Sequence, residues 1–271
     1  MSGGATSGAS SCDPSSGEKN MFRLTVKHEI KDPCFSLSLD QIIEEEKTLE
    51  YYMRSTWDKY PKVFTTYSTT YFKDKGYFID SINGVAGDWD TDRSFWEILN
   101  FGQPLHVGVS FYVPKPGDNI VFNFTKSETE NCTDQETATE TPSNMSSDAL
   151  DVSTTNIQGA TKTGPNFRYT VRNQRVEPAF LYSIRMRIED NQPLIYYMEK
   201  ACDKEPEKFK YSATYFPELG YFIDSIKGVA GDRKTHKSSW KIFNFSQLLN
   251  EGVSSYIPCP DDEITINFEY E

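Results

Sequence analysis

Gly76-Tyr-Phe-Ile-Asp-Ser-Ile-Asn-Gly-Val-Ala-Gly-Asp88 returns, one substitution apart, as Gly220-Tyr-Phe-Ile-Asp-Ser-Ile-Lys-Gly-Val-Ala-Gly-Asp232. The likeness runs on without a gap through Ser94, Trp96, Ile98 and Asn100, answered by Ser238, Trp240, Ile242 and Asn244, and about 30 of 49 aligned positions are identical. A chain carrying one block twice builds one fold twice. Upstream the repeat thins but persists, with Phe22-Arg against Phe167-Arg and Leu49-x-x-Tyr-Met against Leu194-x-x-Tyr-Met. The expected domains are therefore 21–126 and 166–271, each the size of one small domain. Between them, 127–165 is rich in Ser, Thr and Glu and poor in large apolar side chains. Such a segment cannot bury enough surface to offset its chain entropy, so it is predicted as a linker. Residues 1–20 read the same way, as a disordered N-terminal segment.

Within one copy, the alternation of Phe22-Arg-Leu-Thr-Val-Lys-His predicts a half-buried strand, and Cys34-Phe-Ser-Leu-Ser-Leu a second, joined as a hairpin. Leu49, Tyr52, Met53, Thr56, Trp57 and Tyr60 fall on one helical face, and Pro61 ends the run. In the second copy, Leu194, Tyr197, Met198, Ala201 and Cys202 fall on that face, so Cys202 replaces Trp57. Thr66–Phe72 and Tyr77–Ile82 are strand-like, with Asn83-Gly84 turning the chain, and Asp118–Phe124 closes the unit. Hairpin, helix, then further strands predict an α+β class: two tandem β-grasp-like domains, each with one helix on a mixed sheet.

The chain has 28 Lys+Arg against 40 Asp+Glu, a formal charge of -12 over 271 residues, and no basic stripe, which argues against nucleic acid. No apolar run approaches the ~20 residues that cross a bilayer, so no membrane insertion is expected. The first ten residues have neither the basic nor the apolar region of a signal peptide. Four N-x-[ST] sequons, at Asn123, Asn131, Asn144 and Asn244, are candidate glycosylation sites. Cys12, Cys34, Cys132, Cys202 and Cys259 form no C-x-x-C, and His28, His106 and His236 sit far from them, so no metal site is expected. Cys202 and Cys259 are both special to the second copy, and their joint occurrence suggests a disulfide. No copy repeats a histidine-based site, and turn carboxylates such as Asp80, Asp88, Asp224 and Asp232 are commonplace; no catalytic residues are expected.

The ordered features, above all Gly76–Val85, Ser94–Leu99 and Gly108-Val-Ser-Phe-Tyr-Val-Pro, resemble the C-terminal β-domain of the vitamin B12 carriers (intrinsic factor, transcobalamin and haptocorrin). Those carriers sandwich their ligand between this domain and a helical barrel, which has no counterpart here. The resemblance implies two ligand-facing stretches per copy. One is Ser81, Ile82, Asn83, Gly84 and Val85, matched by Ser225, Ile226, Lys227, Gly228 and Val229. The other is Trp96, Glu97, Ile98 and Leu99, matched by Trp240, Lys241, Ile242 and Phe243. A glycine turn offers backbone polar groups and close approach, and Trp with aliphatic neighbours offers flat apolar contact. The same residues have plainer uses: the tryptophans as core anchors, the glycines as turn-formers. The resemblance implies a secreted, non-enzymatic protein that requires no cofactor. Its ligand would be cobalamin, another corrinoid or another large amphipathic molecule held between the copies, with a cell-surface receptor as a further partner. The rival reading is an extracellular protein-interaction or signalling module that kept the fold and lost the vitamin.

Overall fold

A computed structural model describes residues 20–30, 34–127 and 164–270. The expected linker and N-terminal segment, with Cys12, Cys132, Asn131 and Asn144, lie outside them apart from their margins. The first copy runs β1 (Met21–His28), β2 (Phe35–Ile42), α1 (Leu49–Lys59), β3 (Tyr67–Phe72), β4 (Gly76–Ile82), β5 (Val85–Ala86), α2 (Trp89–Asp92), β6 (Ser94–Asn100), β7 (Gln103–Pro104) and β8 (Asn119–Lys126). The second answers with β9 (Asn166–Asn173), β10 (Phe180–Arg187), α3 (Leu194–Lys204), α4 (Pro206–Phe209), β11 (Tyr211–Phe216), β12 (Gly220–Ile226), β13 (Val229–Ala230), β14 (Ser238–Asn244), β15 (Gln247–Leu248) and β16 (Glu263–Tyr270). Each copy is α+β.

The first strand's alternation puts Phe22, Leu24 and Val26 inside, where α1 sets Leu49, Tyr52, Met53 and Trp57 against them. Phe22 meets Tyr52 edge-on at 4.9 Å. No side chain caps α1 at Thr48. Its first free amides, on Leu49 and Glu50, instead donate to the carbonyls of Tyr112 and Val109, and those of Leu194 and Ile195 in α3 donate to Tyr256 and Val253. The repeated Gly-Val-Ser-x-Tyr segment is therefore a backbone cap for the helix, satisfying donors that every helix start leaves open.

The structure differs from one sheet per copy. Each copy has a mixed five-stranded sheet, β2-β1-β8-β6-β7 or β10-β9-β16-β14-β15, in which the first and last long strands run parallel. The remaining strands of both copies join in one six-stranded sheet, β13-β12-β11-β3-β4-β5. The joint is antiparallel pairing of β3 with β11, in the register Tyr67↔Tyr215, Ser68↔Thr214, Thr69↔Ala213 and Thr70↔Ser212. Thr69 and Ala213 are counterparts in the repeat and stand opposite each other, so a local two-fold passes through that pair, as in an isologous dimer. The two copies are a dimer written into one chain, and each spares the other an open sheet edge.

Candidate functional site

The inner side of the β3–β11 seam is tyrosine. Tyr67, Tyr71, Tyr77, Tyr211, Tyr215 and Tyr221 are all buried there. Period-two side-chain alternation puts tyrosines 67 and 71, 211 and 215 on one face. Their hydroxyls bond across the copies: Tyr67 to Tyr221 at 3.0 Å, and Tyr77 to Tyr211. The helices close the cluster. Tyr221 donates to Glu50 of α1 at 2.9 Å and Tyr77 to Glu199 of α3 at 2.9 Å, while Tyr215 and Tyr71 donate to Asp58 and Asp203. Burial pushes the phenols of Tyr67, Tyr77, Tyr211 and Tyr221 well above the usual range and lifts the Glu199 carboxyl to about 8; it raises Glu50 as well. At neutral pH the phenols and the Glu199 carboxyl are uncharged donors and acceptors suited to holding two surfaces together. The expectation of cargo between the facing copies is corrected for the seam itself, whose interior is filled by the protein's own side chains; the concavity that both copies line lies at the seam's end.

The expected ligand-facing stretches lie on the outside of this body. Asn83 and Gly84 take φ of 52° and 79°, as do Lys227 and Gly228 at 54° and 80°, the two left-handed residues of a hairpin turn. Asn83 is tied down by its own chain, accepting from the Thr65 amide and donating to the Val63 carbonyl at 2.8 Å; Lys227 Nζ likewise donates to the Glu207 carbonyl. Ser81 and Ser225 pair with Ser68 and Ser212, and Ile82 and Ile226 point into the core. The two stretches meet through tryptophan: Trp96 Nε1 donates to the Val85 carbonyl at 2.8 Å, and Trp240 Nε1 to Val229 at 3.0 Å. Both indoles are 7% exposed, Trp96 near Phe124 and Trp240 between Phe180 and Phe268. Ile98 is buried, Leu99 half-buried, and Glu97 accepts from Asn123 at 2.7 Å.

In the second copy these stretches open onto different concavities. Trp240, Lys241 and Ile242 line a cleft of about 580 Å³, walled by Phe222, Ile223, Leu248 and Leu249 and rimmed by Arg233, Asn250 and Glu251. That apolar wall with a sparse polar rim is the usual make-up of a small-molecule site. Half-buried Phe243 is not among the cleft's lining residues. Ser225, Lys227 and Gly228 line instead a groove of about 750 Å³ at the end of the seam, together with Lys73, Lys75 and Lys210. Residue-by-residue reading missed those three lysines; comparing the copies for charge would have shown them.

The proposed Cys202–Cys259 disulfide is not formed, and both are free thiols. Cys202 occupies the Trp57 position and points into the core of its own copy, where burial pushes its thiol up to about 11, while Cys259 lies exposed in the turn before β16, its amide bonded to Asp262. The two described sequons are engaged as well. Asn123 Nδ2 is held by Glu97, and Asn244 Nδ2 donates to Tyr256 and Asp262, a bond set repeated by Asn100 with Tyr112 and Asp118. The nitrogens a glycan would occupy already serve the fold. Among the described residues no cluster of three or more His, Cys, Asp or Glu side chains could hold a metal ion, and no helix is long and apolar enough to cross a membrane.

A family described as "Domain of unknown function (DUF4430)" matches residues 47–126. Cobalamin binding intrinsic factor of Homo sapiens is 34% identical over 102 residues, 37% of this chain and 24% of that protein. The Mus musculus protein of that name is 31% identical over the same length and shares. The chain thus spans about a quarter of the length of these relatives. Among solved structures, haptocorrin in complex with Cbi aligns with a TM-score of 0.34 at 17% identity, covering 40% of this chain and 25% of that one. The chain is built from tandem α+β domains that resemble the C-terminal domain of the vitamin B12 carriers.

Proposed function

We propose that this is a secreted, non-enzymatic binding protein whose cleft at Trp240 holds a large amphipathic small molecule, a corrinoid first among them. The observation that carries this reading is the coincidence of an open apolar cleft with one of the two stretches the resemblance marks as ligand-facing. Phe222, Ile242 and Leu248 offer apolar contact beside the buried indole, while Arg233 and Asn250 at the rim suit the amides and phosphate of such a ligand. Cobalamin binding in the name of the matched relatives supports the same class of ligand. The closed seam supports placing it on the outer cleft.

The test is ligand retention. Protein mixed with a cobalamin and passed through a desalting column elutes red, and Leu248→Asp, which sets a charge into the wall at an exposed position, elutes with much less colour. Colourless parent protein would refute the reading.

A second reading, a protein-interaction module, draws on one observation. Phe101 and Phe245 occupy the same turn in the two copies, 67% and 65% exposed, with φ of 49° and 53°. Bulky residues rarely hold that conformation, and strain kept twice points to use. Replacing both phenylalanines with asparagine would leave cobalamin retention intact and abolish partner capture.

A further inference from the structure

Four lysines line one groove where the seam ends. Lys73, Lys75, Lys210 and Lys227 line the groove of about 750 Å³, alongside Phe72 and Pro206. The duplication supplies an internal control. The counterparts of these lysines in the repeat are Pro217, Leu219, Thr66 and Asn83, none of them charged. At these four positions one end of the seam carries lysines where the other carries uncharged residues, while the groove's Glu207 stands where the other end has Lys62, in a chain whose net charge is -12. Among the lining residues one carboxylate, Glu207, stands against four lysines. Asp80, raised by burial, and Asp203, which accepts from Tyr71, lie behind the wall. Like charges gathered in one concavity repel one another unless something of opposite sign joins them, and a cleft lined by one sign focuses its field on such a partner. The aromatic surface is equally specific: Lys210 Nζ lies 4.3 Å from the Phe72 ring centroid, so charge and flat apolar contact are presented together.

We infer that this groove binds a flat organic anion with two or more negative charges, of the aromatic phosphate class. Its ring lies against Phe72 and Pro206 and its phosphates among the lysines. The volume lies within the range of small-molecule sites. The groove shares no lining residue with the Trp240 cleft, so the two sites stand or fall separately.

Calorimetric titration of the full chain with ATP, and with inorganic triphosphate as the ringless control, tests this. The groove binds ATP more tightly than triphosphate, and the affinity falls steeply with added salt. Lys210→Thr with Lys227→Asn gives both positions the residue found in the first copy. Asn is also the better left-handed residue at 227, whose φ is 54°. The double variant keeps the parent circular dichroism and loses ~10-fold or more in ATP affinity. Leu248→Asp, in the other cleft, leaves ATP binding unchanged. No binding of ATP by the parent, or equal binding by the double variant, would overturn the assignment. So would loss of ATP binding in Leu248→Asp alone.

Discussion

Two glycines at the same place in the repeat have different jobs. A Cβ on Gly108 would stand 2.1 Å from the Tyr77 carbonyl oxygen, whereas one on Gly252 would stand 3.9 Å from that of Tyr221. Gly108→Ala must push backbone apart where the helix cap meets β4, and is expected to cost about 2–4 kcal/mol in urea melts. Gly252→Ala is expected to change stability by less than about 1 kcal/mol. Glu199 makes a second prediction at this scale. With its carboxyl at about 8, the folded state keeps a proton that the unfolded state, near 4.3, has lost. The stability this group contributes is complete below about pH 4 and is lost as pH rises toward 8, at up to about 1.4 kcal/mol per unit. Raised Glu50 adds to the same trend, Asp203 repels Glu199, and Arg54 and the Tyr77 hydroxyl oppose both effects. Glu199→Gln should flatten the slope of melts run between pH 5 and 8 by about one proton. Thiol labelling gives a third: Cys259 reacts in the native protein, and Cys202 only in denaturant. The sequence marks Cys202 as a core position by its helical spacing, yet the idea of a disulfide ignored what that implies. A thiol in the place of Trp57 faces its own core, away from an exposed turn.

At the scale of elements, local pattern was a good guide wherever one face is buried against the element's own copy. The alternation of β1 and the i, i+3, i+4 spacing of α1 needed only nearest neighbours to be read. The β6 strand, whose Ser94–Leu99 enters the sequence reading only through the repeat and the resemblance, lies between β8 and β7 in the sheet. The pairing of β3 with β11 was invisible, because backbone donors at an edge carry no signature of their partner. Tyr67, Tyr71 and Tyr77 read as strand residues, but nothing in their spacing says that their hydroxyls end on the other copy. The hydroxyl network is where the seam can be measured. Tyr221→Phe removes both the bond to Tyr67 and the donor to Glu50, and is expected to cost about 1–3 kcal/mol. Combined with Glu50→Gln, the loss should fall short of the sum of the singles, as it does for residues sharing one network.

For the whole molecule, the repeat disclosed two α+β units of one kind, and the resemblance named that kind. How the units meet decides what they can do, and that lay beyond both. A body with an unbroken six-stranded sheet and a tyrosine-filled interior has no room inside for a macrocycle. On the outer surface the copies have diverged: Asn83 against Lys227, Glu97 against Lys241, Pro104 against Leu248. The two expected sites per chain thus differ in charge and wall: the Trp240 cleft lies in the second copy, and the lysine groove is shared by both copies at the end of the seam. Hydrogen exchange with and without a saturating cobalamin tests this most directly. The account predicts new protection confined to Trp240–Phe243 and 247–252, with the amides of β3 and β11 unchanged. Protection gained along β3 and β11 instead would place the ligand between the copies and contradict it.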